Sequence, residues 1–328
     1  MTRSGPGAQP PDDPEPRHEG NPRHEPDPPH ERGPYAGSTR NNGSRGKGGT
    51  LHRARRAKRG AQYAALLAYL LFLVGPPAWL ASVAFKGPRE LGSADPDLVP
   101  RHPTTGNFTA AVDQQPLLQS ALNSLLVAGG SAILCVLLAA PAAYAVARFR
   151  TGLGRATLVW TLVSQLFPLV LIIIPLFLVL KGLHLVDTLG GLLVVYVVWS
   201  LPFALWMLQS FVRAVPPELE EAAVMDGAGR WRTLRSVVLP LLTPGLVVTL
   251  LFSFITAWNE FFFALVLLKS PGNQTMSLML TRFIGEEGAA DLGPLAAAAL
   301  LATLPSLLLF LLIQRRLTGG LLTGAVKG

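Results

Sequence analysis

The feature that most constrains this chain is a set of six long apolar runs, at about residues 62–85, 119–147, 156–180, 189–212, 241–268 and 294–313. A helix needs roughly 20 apolar residues to cross a bilayer, and each run reaches that length. Only 15% of the residues are charged, where a soluble domain carries about a quarter. The runs predict an all-α integral membrane protein with six transmembrane helices. Pro76 and Pro77 are expected to kink the first span. Pro141, Pro168, Pro175, Pro202 and Pro305 punctuate the others, where prolines mostly shape a helical bundle.

Charge sets the orientation. Fifteen Lys and Arg flank the spans on one side, including Arg53, Arg55, Arg56, Lys58, Arg59, Arg148, Arg150, Arg213, Arg315 and Arg316. Six lie on the other side: Lys86, Arg89, Arg101, Lys181, Lys269 and Arg282. Cytoplasmic flanks carry the basic excess. Both termini are therefore expected inside, in a multi-pass protein of the cytoplasmic membrane. The net charge of +8 follows from these flanks and a basic tail, so it does not point to nucleic acid. The one cysteine, Cys135, lies inside an apolar run and reads as a small filler.

Residues 216–240 form a long polar stretch between the fourth and fifth runs: PPELEEAAVMDGAGRWRTLRSVVLP. Pro216 and Pro217 can open a helix, since proline is tolerated in its first turn. Glu218, Glu220 and Glu221 follow where the helix dipole favours negative charge. Leu219, Ala222, Ala223 and Asp226 fall at helical spacing, and Gly227 can close the helix in a left-handed conformation. A second short helix is predicted from Arg230 to Leu239, ending at Pro240. Together they predict a helix–glycine–helix elbow lying on the basic-flanked, cytoplasmic side.

This stretch resembles the EAA loop of ABC-importer permeases. The family pattern is Glu-Ala-Ala, three residues, Gly, nine residues, an aliphatic residue, one residue and Leu-Pro. The chain reads Glu221-Ala222-Ala223, then Gly227 after Asp226, then Val237 and Leu239-Pro240 at those spacings. Further likeness to maltose-type carbohydrate permeases, the MalG-like half of the pair, extends from about residue 60 to the end. It is carried by Phe85-Lys86, Asn123-Ser124-Leu125, Ala143-Tyr144-Ala145 before Arg148-Phe149, Trp258-Asn259-Glu260-Phe261, and the final Gly320 to Gly328.

The resemblance implies a type I ABC importer permease fold, with the permease domain at 119–315, preceded by the first span and an extracytoplasmic loop at 61–118. It implies a second permease subunit, two ATPase subunits that carry ATP and Mg, and an extracellular binding protein that delivers a sugar. It also implies that Glu221 makes a polar contact in an ATPase cleft, with Ala222 and Ala223 letting the helix pack closely and Gly227 turning it. Residues 316–328 would form a cytoplasmic tail beside the ATPases.

Polar groups inside a bilayer are costly unless they face a partner helix or water, so each is a candidate for function. Asn259 and Glu260 in the fifth run would either hydrogen-bond sugar hydroxyls or fix neighbouring helices. Gln165 in the third run and Asn123-Ser124 in the second read more readily as links between helices. Trp199 and Trp206 could stack on a sugar ring, although tryptophan is also common at membrane interfaces.

Residues 1–60 are rich in Pro, Gly, Arg and His and are expected to form a disordered cytoplasmic tail with no signal-peptide core. Its loose Arg-His-Glu repeat lacks metal-site spacing. The chain has no GxxxxGK[ST] loop and no GxSxG or HExxH motif, so it should neither hydrolyse ATP itself nor act as an enzyme; no cofactor or metal is expected on it. The alternatives are a permease of this architecture for another solute, such as a polyamine or phosphate, and a stand-alone secondary transporter. The latter would need inverted repeats and leaves the elbow without a role.

Overall fold

The computed structural model describes residues 47–93, 97–149, 152–285 and 291–322. Most of the N-terminal tail and the last six residues therefore lie outside the described residues. The chain divides into two compact units, Met1–Ala65 and Leu66–Gly328. The described part of the first unit is wholly helical and begins at Lys47, so helix already occupies part of the stretch expected to be tail.

The helices, in chain order, are α1 (Lys47–Ala84), α2 (Pro88–Leu91), α3 (Gly106–Gln114), α4 (Leu117–Arg148), α5 (Gly152–Leu166), α6 (Leu169–Gly182) and α7 (Leu189–Ala214). Then come α8 (Pro217–Met225), α9 (Arg230–Thr233), α10 (Leu239–Leu241), α11 (Thr243–Trp258), α12 (Phe262–Leu267), α13 (Met276–Met279) and α14 (Leu292–Leu322). A π-helical turn, Leu234–Val238, joins α9 to α10.

Four helices are each long and apolar enough to cross a membrane: α1 from Lys58, α4, α7 and α14 to Gln314. The count reaches six only when two bent pairs are taken as one span each. The third run is thus not one straight helix. It breaks between α5 and α6 with a bend of 100°. Pro168 stands at the break, and a residue before proline is pushed out of the helical region. The fifth run breaks twice. Arg230–Leu241 meets α11 at 75°, with Pro244 in the first turn of the new helix. Residues 259–261 then part α11 from α12. The other prolines, including Pro76, Pro77, Pro141, Pro202 and Pro305, lie inside helices without ending them. The last helix continues beyond the expected span to Leu322, since Gln314 and the arginines after it carry no helix breaker.

The core is built on α4, α7 and α11. The buried residues of α4 are mostly small: Ser120, Ser124, Ala128, Ser131, Ala132, Cys135, Ala139, Ala140 and Ala143. Lipid gives no hydrophobic push between helices, so close packing of small residues does the work. One buried cluster covers the start of α4 with Leu192, Tyr196, Phe254, Trp258 and Phe263. A second covers its end with Leu208, Val212, Val215, Leu234 and Leu242. At Gly245 a Cβ would come within 2.5 Å of the Phe211 ring, so α11 crosses α7 at a distance only glycine permits.

Candidate functional site

The elbow forms as the residue pattern predicts. α8 opens with Pro217 in its first turn and ends at Asp226. Gly227 has φ +80°, the left-handed region. Its N–H donates to Val224 O at 2.9 Å, and the N–H of Ala228 donates to Ala223 O at 2.9 Å. These two bonds satisfy carbonyls that the helix end would otherwise leave bare. Glu221, Ala222, Val224 and Met225 are exposed, Met225 at 87%. Leu239 is partly buried against the second cluster and Pro240 is exposed. The second arm runs through Pro240 to Leu241 rather than stopping there. Proline cannot donate to the turn behind it, and the wide π turn, where the N–H of Leu239 reaches Leu234 O, lies just ahead of Pro240.

The glutamate that holds the elbow is Glu220, one residue before the Glu-Ala-Ala. Its Oε1 accepts from Arg148 Nε at 2.6 Å, and its Oε2 accepts from the Tyr144 hydroxyl at 2.9 Å. Arg148 also donates through its second nitrogen to Val215 O, at the end of α7, at 2.7 Å. The ion pair is largely enclosed, with side-chain exposures of 17% and 13%. Arg230 lies 5.1 Å from the centre of the Phe149 ring. The sequence shows Tyr144 and Arg148 as marks of likeness, with no role. Helical phase could have separated Glu220 from Glu221, but only once the neighbour of α8 was known.

Asn259 and Glu260 stand at the second break of the fifth run. Asn259 Nδ2 turns back to Ile255 O, four residues earlier, at 2.8 Å. Glu260 Oε1 accepts from the N–H of Phe263 at 2.9 Å. Its Oε2 accepts from the N–H of Ala264 at 3.3 Å and from the Tyr196 hydroxyl at 2.9 Å. The carboxylate therefore closes the start of α12, where unpaired N–H groups and the helix dipole both favour an anion. Ser277 Oγ donates to Glu260 O at 2.6 Å, and Trp258 Nε1 donates to Ala302 O at 3.1 Å, tying this break to the loop after α12 and to α14.

Gln165 is not beside them. It lines a pocket of about 270 Å³ at the α5–α6 break, with Trp160, Ser164, Trp199, Pro202 and Phe263. Trp206 lies outside that lining and packs near Phe203. The structure thus joins Gln165 to Trp199 and keeps Asn259 and Glu260 out of the pocket's walls.

The end of α4 away from the elbow is held by polar loops. Asn123 Nδ2 donates to Gly272 O at 2.8 Å and Gln274 O at 3.0 Å, and Ser124 Oγ accepts from the N–H of Met276 at 2.7 Å. Asp187 has φ +60° and accepts from the N–H of Lys269 at 2.8 Å, the N–H of Ser270 at 2.9 Å and the Ser270 hydroxyl. The Ser270 bonds first, then Lys269, hold its pKa down at about 2. Among the described residues no group of three or more His, Cys, Asp or Glu is placed to hold a metal ion.

Four helices of membrane-spanning length, two bent helix pairs and a polar elbow tied to the end of α4 make up a multi-pass helical bundle. Residues 135–321 match the family of binding-protein-dependent transport system inner membrane components, and the chain belongs to that family. It is therefore a membrane-spanning permease subunit of an ABC importer, a class whose ATPase is supplied by partner subunits. A putative ABC transporter permease of Streptomyces antibioticus is 64% identical over 70% of this chain and 100% of its own length. The diacetylchitobiose uptake permease DasC of Streptomyces coelicolor is 36% identical, covering 78% of this chain and 92% of its own. The fold is also that of a bacterial alginate importer chain, with TM-score 0.70, 20% identity and coverage of 80% and 97%.

Proposed function

We propose that this permease translocates a carbohydrate, delivered by an extracellular binding protein and driven by two ATPase subunits that bind ATP and Mg beneath it. A second permease subunit completes the pathway. The elbow side and both termini face the cytoplasm, in keeping with the basic flanks. The observation that carries the reading is the outward face of α8. Glu221, Ala222 and Met225 are exposed beside a tight turn at Gly227, free for a partner to seat. In this reading Glu221 is the polar docking contact, Ala222 and Ala223 allow close approach, Asp226 and Gly227 shape the turn, and Leu239 and Pro240 anchor the second arm.

Carbohydrate is supported by relatives named for diacetylchitobiose, and for trehalose in Mycobacterium tuberculosis at 33% identity. Gln165, with Trp160 and Trp199, is the group placed best to line the path, since aromatic faces and an amide suit a sugar ring. Asn259 and Glu260 serve the path indirectly, by shaping the break that sets Phe263 in the pocket wall.

The test is purification of the chain with its native neighbours, then uptake of diacetylchitobiose, trehalose and maltose into proteoliposomes holding ATP. Recovery of a second permease and an ATPase, with ATP-dependent uptake of one sugar, is the expected result. Glu221→Lys should insert normally and abolish uptake. Uptake by the chain alone without ATP would overturn the reading in favour of a secondary transporter.

A further inference from the structure

Docking alone leaves Tyr144 and Arg148 unexplained, yet both reach the elbow. We infer that Tyr144, Arg148 and Glu220 form a joint that makes the elbow move as one body with α4 and α7. Arg148 is then a positioning residue for energy transfer. The inference rests on the reading of α8 as the ATPase-docking helix.

The backbone between α7 and α8 is not helical here. α8 leaves α7 through Val215 and Pro216, two extended residues with ψ 123° and 129°. A helix held only by such a link can swing about it. Three bonds remove that freedom. Arg148 grips Glu220 on α8 with one nitrogen and Val215 O at the end of α7 with another. Tyr144, one turn earlier on α4, takes the second oxygen of the same carboxylate. A planar guanidinium can bridge two acceptors in fixed geometry, which a lysine ammonium does not reproduce. The far arm of the elbow reaches the same place, since Arg230 stacks on Phe149.

Behind the joint, α4 and α7 are packed on each other through Ala139, Ala143, Ala204, Leu208 and Val212, all buried. A push on α8 therefore enters both helices at once. The enclosure of the Arg148–Glu220 pair keeps it less screened than a surface ion pair, so the joint should hold at physiological salt.

Distance measurement between two spin labels in the assembled importer tests this. One label replaces Val224 on the elbow and one replaces Leu118 at the far end of α4; both sites are exposed, and the native Cys135 is buried. With the joint intact, a single narrow distance should persist with and without ATP. In Arg148→Lys and Glu220→Ala the distance should broaden and become ATP-dependent while the ATPase still co-purifies. Tyr144→Phe, which keeps the ring, should show the same change in smaller degree and guards against misfolding of the others. ATP hydrolysed per solute carried should rise about tenfold in Arg148→Lys, within the usual range of coupling between sites. A wild-type distance that shifts with ATP, or variants that keep the narrow distance, would overturn the joint alone. A wild-type preparation with no ATPase would overturn the docking reading and the joint together.

Discussion

Glu220 and Glu260 are held alike and serve differently. Each carboxylate accepts from a tyrosine at 2.9 Å, Tyr144 in one case and Tyr196 in the other. Beyond that they diverge. Glu220 is matched by a full positive charge from a different helix. Glu260 is matched instead by two backbone N–H groups at the start of α12. The first arrangement joins two bodies, and its strength lies between helices. The second finishes one helix, and its strength lies within the backbone. The comparison teaches that a glutamate in a membrane bundle need not be a ligand. A break in a span leaves N–H groups that water cannot reach, and a carboxylate is the cheapest group that satisfies two at once.

The largest effect should come from removing the backbone-held acid. Glu260→Ala leaves two N–H groups and a buried tyrosine hydroxyl without partners. Roughly 3 kcal/mol of stability should be lost, from the cap and the orphaned donors together. Thermal unfolding of the purified chain in detergent would measure it; an unchanged Tm would show that water fills the break. Tyr196→Phe should follow, at about 1 kcal/mol, because it removes one hydrogen bond and leaves the cap intact. Tyr144→Phe should cost less than Tyr196→Phe in the same assay, since Arg148 still holds Glu220 and the site is less buried. If the order of the two tyrosines reverses, the distinction between joint and cap fails.

The smallest effect sharpens the comparison with a third acid. Asp187 is held by a serine hydroxyl and two backbone N–H groups. Its folded pKa, about 2, lies below the ordinary 3.8. A depressed carboxylate adds stability that is complete above the unfolded value and fades as pH falls through the folded one. Unfolding followed between pH about 4 and about 2 should show a modest loss in the native chain that is absent in Asp187→Asn. An equal slope in both would remove Asp187 from the account.

The sequence carried the six runs, the basic flanks and the turn at Gly227, because each rests on local composition or on one backbone requirement. It also marks Asn123 and Ser124 as polar positions in an apolar run, though the structure ties them to the loop at Gly272–Met276 rather than across to a neighbouring span. Two things were hidden. The break at Phe167 looks continuous by hydropathy, and Pro168 resembles Pro141 or Pro202, which break nothing; at residues 259–261 the polar pair is visible but not the break it closes. Only the neighbours decide which proline ends a helix. The glutamate that ties the elbow to α4 was hidden for a similar reason. Glu220 and Glu221 are adjacent, and which one faces α4 depends on how α8 docks, a tertiary fact.

The π turn between Leu234 and Val238 has a consequence for chain length. A π turn is an α-helix with one surplus residue folded into it. Residues 230–241 are therefore one longer than a plain helix of the same phase requires. Deleting one residue here would let the turn relax to α while α11 keeps its register, whereas a deletion in the middle of α11 would rotate its buried face by about 100°. Among the described helices, this arm of the elbow is the one with a residue to spare.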